Sequence, residues 1–231
     1  MKPDRKRVLP ALLGLSGAVL LLLLVVPGQA APGVAHAQSG SEPAGVDRRF
    51  PDLRALPPRD FIFDRVRIGG ETHHLLRFTA AVWNAGSGPL ELRGVVPGSS
   101  RNSIVVVQRV YDTAGRVEEQ PVGSFVHHPS HEHWHFEQFA GYELWSRTAY
   151  DLWAAGGRGE PLYRGSKTTG GEGFCVRDSE PLQSLPRLLR AWVVPPRPVY
   201  DECGPTIQGI SVGWVDVYPY FLPEQWIDLG P

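Results

Sequence analysis

Ser103-Ile104-Val105-Val106-Val107-Gln108-Arg109-Val110-Tyr111 decides the fold class. Ile104 to Val107 are β-branched throughout; such side chains lose rotamer freedom in a helix and pack well on a pleated sheet. Pro97-Gly98 and Thr113-Ala114-Gly115 close the run at its two ends with turn-forming residues, so it predicts a buried strand. Further strands are expected at Leu75–Trp83, Leu90–Val96, His131–Trp145, Gly173–Arg177, Gly213–Val217 and Gln225–Leu229. Asn84-Ala85-Gly86-Ser87-Gly88 reads as the turn between the first two. Helix is confined to Ala149–Ala155 and, more weakly, Leu182–Ala191. Twenty-six glycines and 22 prolines suit short strands joined by defined turns, and the chain has no internal repeats. The expected fold class is all-β, a β-sandwich with long loops and little helix.

The chemistry of the chain is concentrated in His128-Pro129-Ser130-His131-Glu132-His133-Trp134-His135. On an extended strand His131, His133 and His135 share one face, with Glu132 and Trp134 on the other. Imidazole suits copper, zinc, iron or nickel, and copper(II) binds such donors most tightly among the divalent first-row metals. A flat strand cannot close this site. At about 3.3 Å per residue the outer Cβ atoms lie roughly 13 Å apart, against a reach of about 11 Å through two imidazoles and one ion. The strand must therefore twist or bulge, or His128 must replace an outer histidine.

Lys2, Arg5, Lys6 and Arg7 precede an apolar run from Val8 to Val26, and Ala35-His36-Ala37 follows as a small-residue cleavage site. This reads as a signal peptide over residues 1–37, with an uncleaved membrane anchor as the alternative. Nothing after residue 38 is apolar for long enough to span a bilayer, so the mature chain is expected to be secreted or extracytoplasmic. Residues 38–49 read as a disordered lead-in, and 50–231 as one domain. A formal charge of -1 offers no electrostatic basis for nucleic-acid binding. Cys175 and Cys203, in an exported chain, are expected to pair, closing a loop of about 28 residues worth about 3 kcal/mol in the chain-entropy account.

From Pro51 to Leu229 the chain resembles the lysyl oxidase family of secreted copper amine oxidases. The resemblance rests on Leu75-Leu76-Arg77-Phe78 with Val82-Trp83-Asn84, on His128-x-x-His131-x-His133-x-His135 followed by Phe139 and Tyr142-Glu143-Leu144, and on Phe174-Cys175-Val176-Arg177-Asp178. Gln208-Gly209-Ile210-Ser211-x-Gly213, leading to Gln225-Trp226-Ile227-Asp228, completes it. It implies copper on His131, His133 and His135 with His128 adjacent. It also implies a lysine tyrosylquinone cofactor, with the family tyrosine at Tyr218 and a nearby aspartate at Asp216. The family lysine falls at Gly171; Lys167, four residues earlier, is the only lysine beyond the leader. The implied reaction takes a primary amine or peptidyl lysine and dioxygen to aldehyde, ammonia and hydrogen peroxide, with Asp216 as general base. Family members continue past the Gln-Trp-Ile-Asp block with two more strands, so this domain is expected to be truncated and to leave an exposed sheet edge.

Two other functions stay open on the residues alone. One is a non-catalytic extracytoplasmic copper- or zinc-binding sandwich. The other is a zinc hydrolase using Glu132 as base, although strand alternation turns Glu132 away from the histidines.

Overall fold

The structure, a computed structural model, describes residues 20–25, 47–97, 102–129, 132–137, 139–165, 173–182 and 194–231. The strands in chain order are β1 (Leu20–Val25), β2 (Arg48–Arg49), β3 (Leu53–Ala55), β4 (Arg59–Ile68), β5 (Glu71–Asn84), β6 (Leu90–Pro97), β7 (Ser103–Asp112) and β8 (Val117–His128). They continue with β9 (His133–Phe136), β10 (Gly141–Ser146), β11 (Tyr163–Gly165), β12 (Glu180–Pro181), β13 (Ile207–Ile210), β14 (Trp214–Tyr218) and β15 (Trp226–Asp228). Helix α1 (Arg147–Ala154) follows β10 and is capped by the Ser146 hydroxyl, which accepts from the Ala149 N–H. All pairings are antiparallel, and the fold is a mostly β, sandwich-like arrangement, as expected.

The first sheet is built on β5, whose alternating Leu76, Phe78, Ala80 and Val82 face the core. Its C-terminal half pairs with β14 and β3, and its N-terminal half with β15 and β4. The second sheet runs β13-β6-β7-β8-β9, with β2 also on β7. Leu92, Val106 and Phe125 from this sheet meet the β5 residues in one cluster with Tyr142, Phe174, Val176 and Ile210. Burying each such apolar side chain contributes about 1.5–3 kcal/mol. A third sheet, β1-β10-β11, places the apolar Leu20–Val25 strand beside Gly141–Ser146. Among the described residues no helix is long and apolar enough to cross a membrane.

Asn84 ties the β5–β6 turn. Its amide donates to the Gly88 and Ile210 carbonyls at 3.0 and 2.9 Å, and its Oδ1 accepts from the Asp52 and Gly86 N–H groups. A Cβ at Gly88 would overlap the Arg49 carbonyl, so the close approach of the lead-in requires glycine there.

The structure corrects several expectations. The His131–Trp145 strand is broken into β9 and β10, with His131 outside the described residues. Gly173–Arg177 is not a strand. Phe174 makes one bridge to Phe136, while the Val176 and Arg177 N–H groups turn to the Gln208 and Asp216 side chains instead of a neighbouring ladder. The end of the lead-in is ordered, with Arg48–Arg49 on β7 and the Asp47 carbonyl accepting from the Thr113 N–H. Strands β4 and β8 were not expected. The second helical expectation lies, apart from Leu182, outside the described residues.

Candidate metal and cofactor site

The histidines are gathered by a hairpin. β8 and β9 pair with His128 opposite His133, His127 opposite Trp134 and Val126 opposite His135. The intervening turn ends at Glu132, whose backbone is left-handed at φ 56° and whose N–H donates to the His128 carbonyl at 2.9 Å. Glu132 thus sits in the turn, not on the strand. Opposite residues of an antiparallel pair share a face, so His128, His133 and His135 lie together. Their rings are 5.4 Å apart for His128 and His135, and 4.6 Å for His133 and His135. His127 is on the other face, edge-on to Trp134 at 5.3 Å.

The Nε2 atoms of His133 and His135 approach to 2.7 Å. Two nitrogens each about 2.0–2.1 Å from one ion, at right angles, are about 2.9 Å apart, so the pair suits one metal with little movement. Among the described residues no third His, Cys, Asp or Glu completes the set. Among the described residues, the His128 ring stacks on that of His135 on this face. The structure brings His128, His133 and His135, three of the four histidines singled out in the sequence, onto one face of the hairpin; His131 lies outside the described residues.

Side chains from elsewhere hold β9 in place. The Trp134 N–H donates to the Cys203 carbonyl at 2.9 Å, and the Trp134 carbonyl accepts from Gln208 Nε2 at 2.8 Å. Gln208 is fully buried, and its Oε1 accepts from the Val176 N–H at 3.0 Å. Cys175 and Cys203 form a disulfide with Cα atoms 5.3 Å apart, so the segment beside β9 is covalently joined to the one before Val176. Gln208 and Cys203 carry no metal chemistry of their own. Only the Gln208-Gly209-Ile210-Ser211 resemblance signalled the former.

The second centre is Tyr218 with Asp216, both on β14 and both buried. The Tyr218 hydroxyl hydrogen-bonds to Asp216 and lies 3.1 Å from the Cys175 carbonyl. Asp216 also accepts from the Arg177 N–H and the Ser179 hydroxyl, at 3.2 and 3.3 Å. Burial pushes the Asp216 carboxyl up to about 7, against the downward pull of these donors. Burial and the neighbouring carboxylate push the Tyr218 phenol well above its ordinary value. The two centres share a wall. Phe136, the residue after His135, bridges to Phe174, whose ring stands edge-on to Tyr218 at 4.6 Å.

His131 and Lys167 lie outside the described residues. No family model matches the chain, and neither a curated protein nor a solved structure does.

Proposed function

We propose that this chain is a copper-dependent amine oxidase of the lysyl oxidase type. It takes a primary amine or peptidyl lysine, with dioxygen and water, to the aldehyde, ammonia and hydrogen peroxide. The observation that carries the reading is the shared wall between the converging His133 and His135 nitrogens and the buried Tyr218–Asp216 pair. His133 and His135 hold the ion, with His128 and His131 completing the set. Copper held there would supply one-electron exchange with dioxygen, the oxidising chemistry that a lysine tyrosylquinone built from Tyr218 and Lys167 would need.

The chain's own groups govern the protons and the water. Asp216, poised near pH 7, takes the phenolic proton of Tyr218 and, later, a proton from the carbon bearing the amine. Phe174 stands edge-on to Tyr218 and Tyr142 packs on Phe174 behind it, keeping solvent out. Gln208 and Cys203 fix the strand that bears the histidines.

A second reading is a copper- or zinc-binding sandwich without a quinone. It is favoured by Tyr218 being only 5% exposed, with its hydroxyl already directed at Asp216 and Cys175. Peroxide release separates the two. Protein exported with copper in air is expected to release one peroxide per amine consumed, and Tyr218→Phe none; tight copper binding with no peroxide from the unaltered chain would leave the second reading.

A further inference from the structure

β4 is an edge strand with an unusual surface. Among the described residues it pairs with β5 alone, and eight of its ten residues are exposed. Phe63 is opposite Leu76, which is 7% exposed and part of the core, so Phe63 lies on the core side of the sheet. Yet Phe63 is 78% exposed. Phe61 and Ile62 are exposed beside it, at 53% and 40%. Charged side chains and irregularities blunt many edges, and β4 carries Arg59, Asp60, Asp64, Arg65 and Arg67; its exposed Phe61-Ile62-Phe63 run is nonetheless apolar, and an exposed apolar run on an edge can template another strand.

The outward-facing hydrogen-bonding groups follow from the turn. Ile68 and Glu71 close a two-residue hairpin over Gly69 and Gly70, both with positive φ. The closing pair of such a hairpin is hydrogen-bonded, so Ile68, Val66, Asp64 and Ile62 point their backbone groups at β5. Those of Phe63, Arg65 and Arg67 point outward. In agreement, the Arg65 N–H donates not to β5 but to Asp64 Oδ1, at 2.8 Å.

We infer that β4 pairs antiparallel with β4 of a second copy of this chain, about a two-fold axis at Asp64. The sequence Phe61-Ile62-Phe63-Asp64-Arg65-Val66-Arg67 complements itself in that register. Phe63 faces Arg65 of the second copy, Phe61 faces Arg67, and Ile62 faces Val66. Arginine over an aromatic ring and paired apolar side chains are both favourable across strands. The one like-charged pair is Asp64 with its copy, and each Asp64 is already bound by Arg77 at 2.9 Å. Centring on Arg65 or Val66 would instead set arginine directly against arginine. The outward backbone groups of Phe63 and Arg65 then fall opposite one another and bond, the Arg65 N–H exchanging its own Asp64 Oδ1 for the Phe63 carbonyl of the second copy. The inference is independent of copper and of any catalytic role.

Sedimentation of the full exported chain tests it. A monomer–dimer equilibrium is expected, with the dissociation constant raised about tenfold or more by Phe63→Lys, which sets two lysines against two arginines. Phe63 is so exposed that this variant keeps its fold, as an unchanged circular dichroism spectrum will show. In the proposed register Asp64→Cys sits opposite itself within disulfide range and is expected to cross-link the dimer on oxidation, whereas Phe63→Cys is not. A chain that stays monomeric, a dimer indifferent to Phe63→Lys, or a dimer that Asp64→Cys fails to cross-link would each overturn the proposal.

Discussion

The histidine hairpin and the Tyr218 pocket hold polar groups in opposite ways. In the hairpin two imidazole nitrogens converge on each other at 2.7 Å at the end of a short strand, with half-buried His128 and His133 beside buried His135. In the pocket, Tyr218 and Asp216 face one another and are closed in by Phe174 and the Cys175 carbonyl. The first sets two nitrogen donors side by side near the protein surface. The second already satisfies its own groups, so cofactor chemistry there requires the Lys167 amine to be brought to a packed ring. The difference shows why metal binding and amine oxidation are separable claims.

The largest expected effect belongs to the pocket. Asp216 has a folded value of about 7, above the unfolded value of about 3.9, so its ionisation opposes folding as pH rises. The stability its neutral form provides is intact below about pH 4 and is lost as pH climbs to about 7. Denaturant unfolding should show this as a decline on the order of 4 kcal/mol in the unaltered protein relative to Asp216→Asn, which cannot ionise. Parallel profiles for the two proteins would mean that Asp216 is not the buried acid described.

Next in size is the tie between the regions. Replacing Cys175 and Cys203 by serine should cost about 3 kcal/mol. It should weaken copper binding as well, since the Cys203 carbonyl anchors Trp134 between the two converging histidines. Loss of stability with copper affinity intact would break the link between the tie and the hairpin.

The hairpin gives the smallest of the three in free energy and the sharpest in selectivity. Copper titration should find His133→Ala weakened about a hundredfold, roughly 2.7 kcal/mol, and His127→Ala nearly unchanged. His127 faces the other side, against Trp134. Equal losses would remove the face assignment.

Much of this was legible in the residues, for particular reasons. β7 and β5 carry long apolar runs that only a buried strand explains, and they appear with nearly the expected limits. The alternation of His133 and His135 set their common face, and the reach of imidazole excluded a flat strand, leaving a twist, a bulge or His128 as ways to close the set. β4 was hidden because exposure on both faces erases alternation; its one signal was Gly69-Gly70, a two-residue turn between Ile68 and Glu71. β8 was hidden by Glu118, Glu119 and Pro121, which suit its exposed first half and a register shift opposite Val106 and Val107. The role of Gln208 was out of reach of any local pattern, because its partners Trp134 and Val176 lie far from it in sequence.

The central claim is that the two regions work as one site, and a covalent bond between Lys167 and Tyr218 tests it most directly. Peptide mapping by mass spectrometry of protein exported with copper in air should find a single cross-linked species containing both residues. Lys167→Arg keeps the charge but has no primary amine, so it should lack that species, as should Tyr218→Phe. Finding Lys167 and Tyr218 in separate, unmodified peptides after full copper loading would contradict the account.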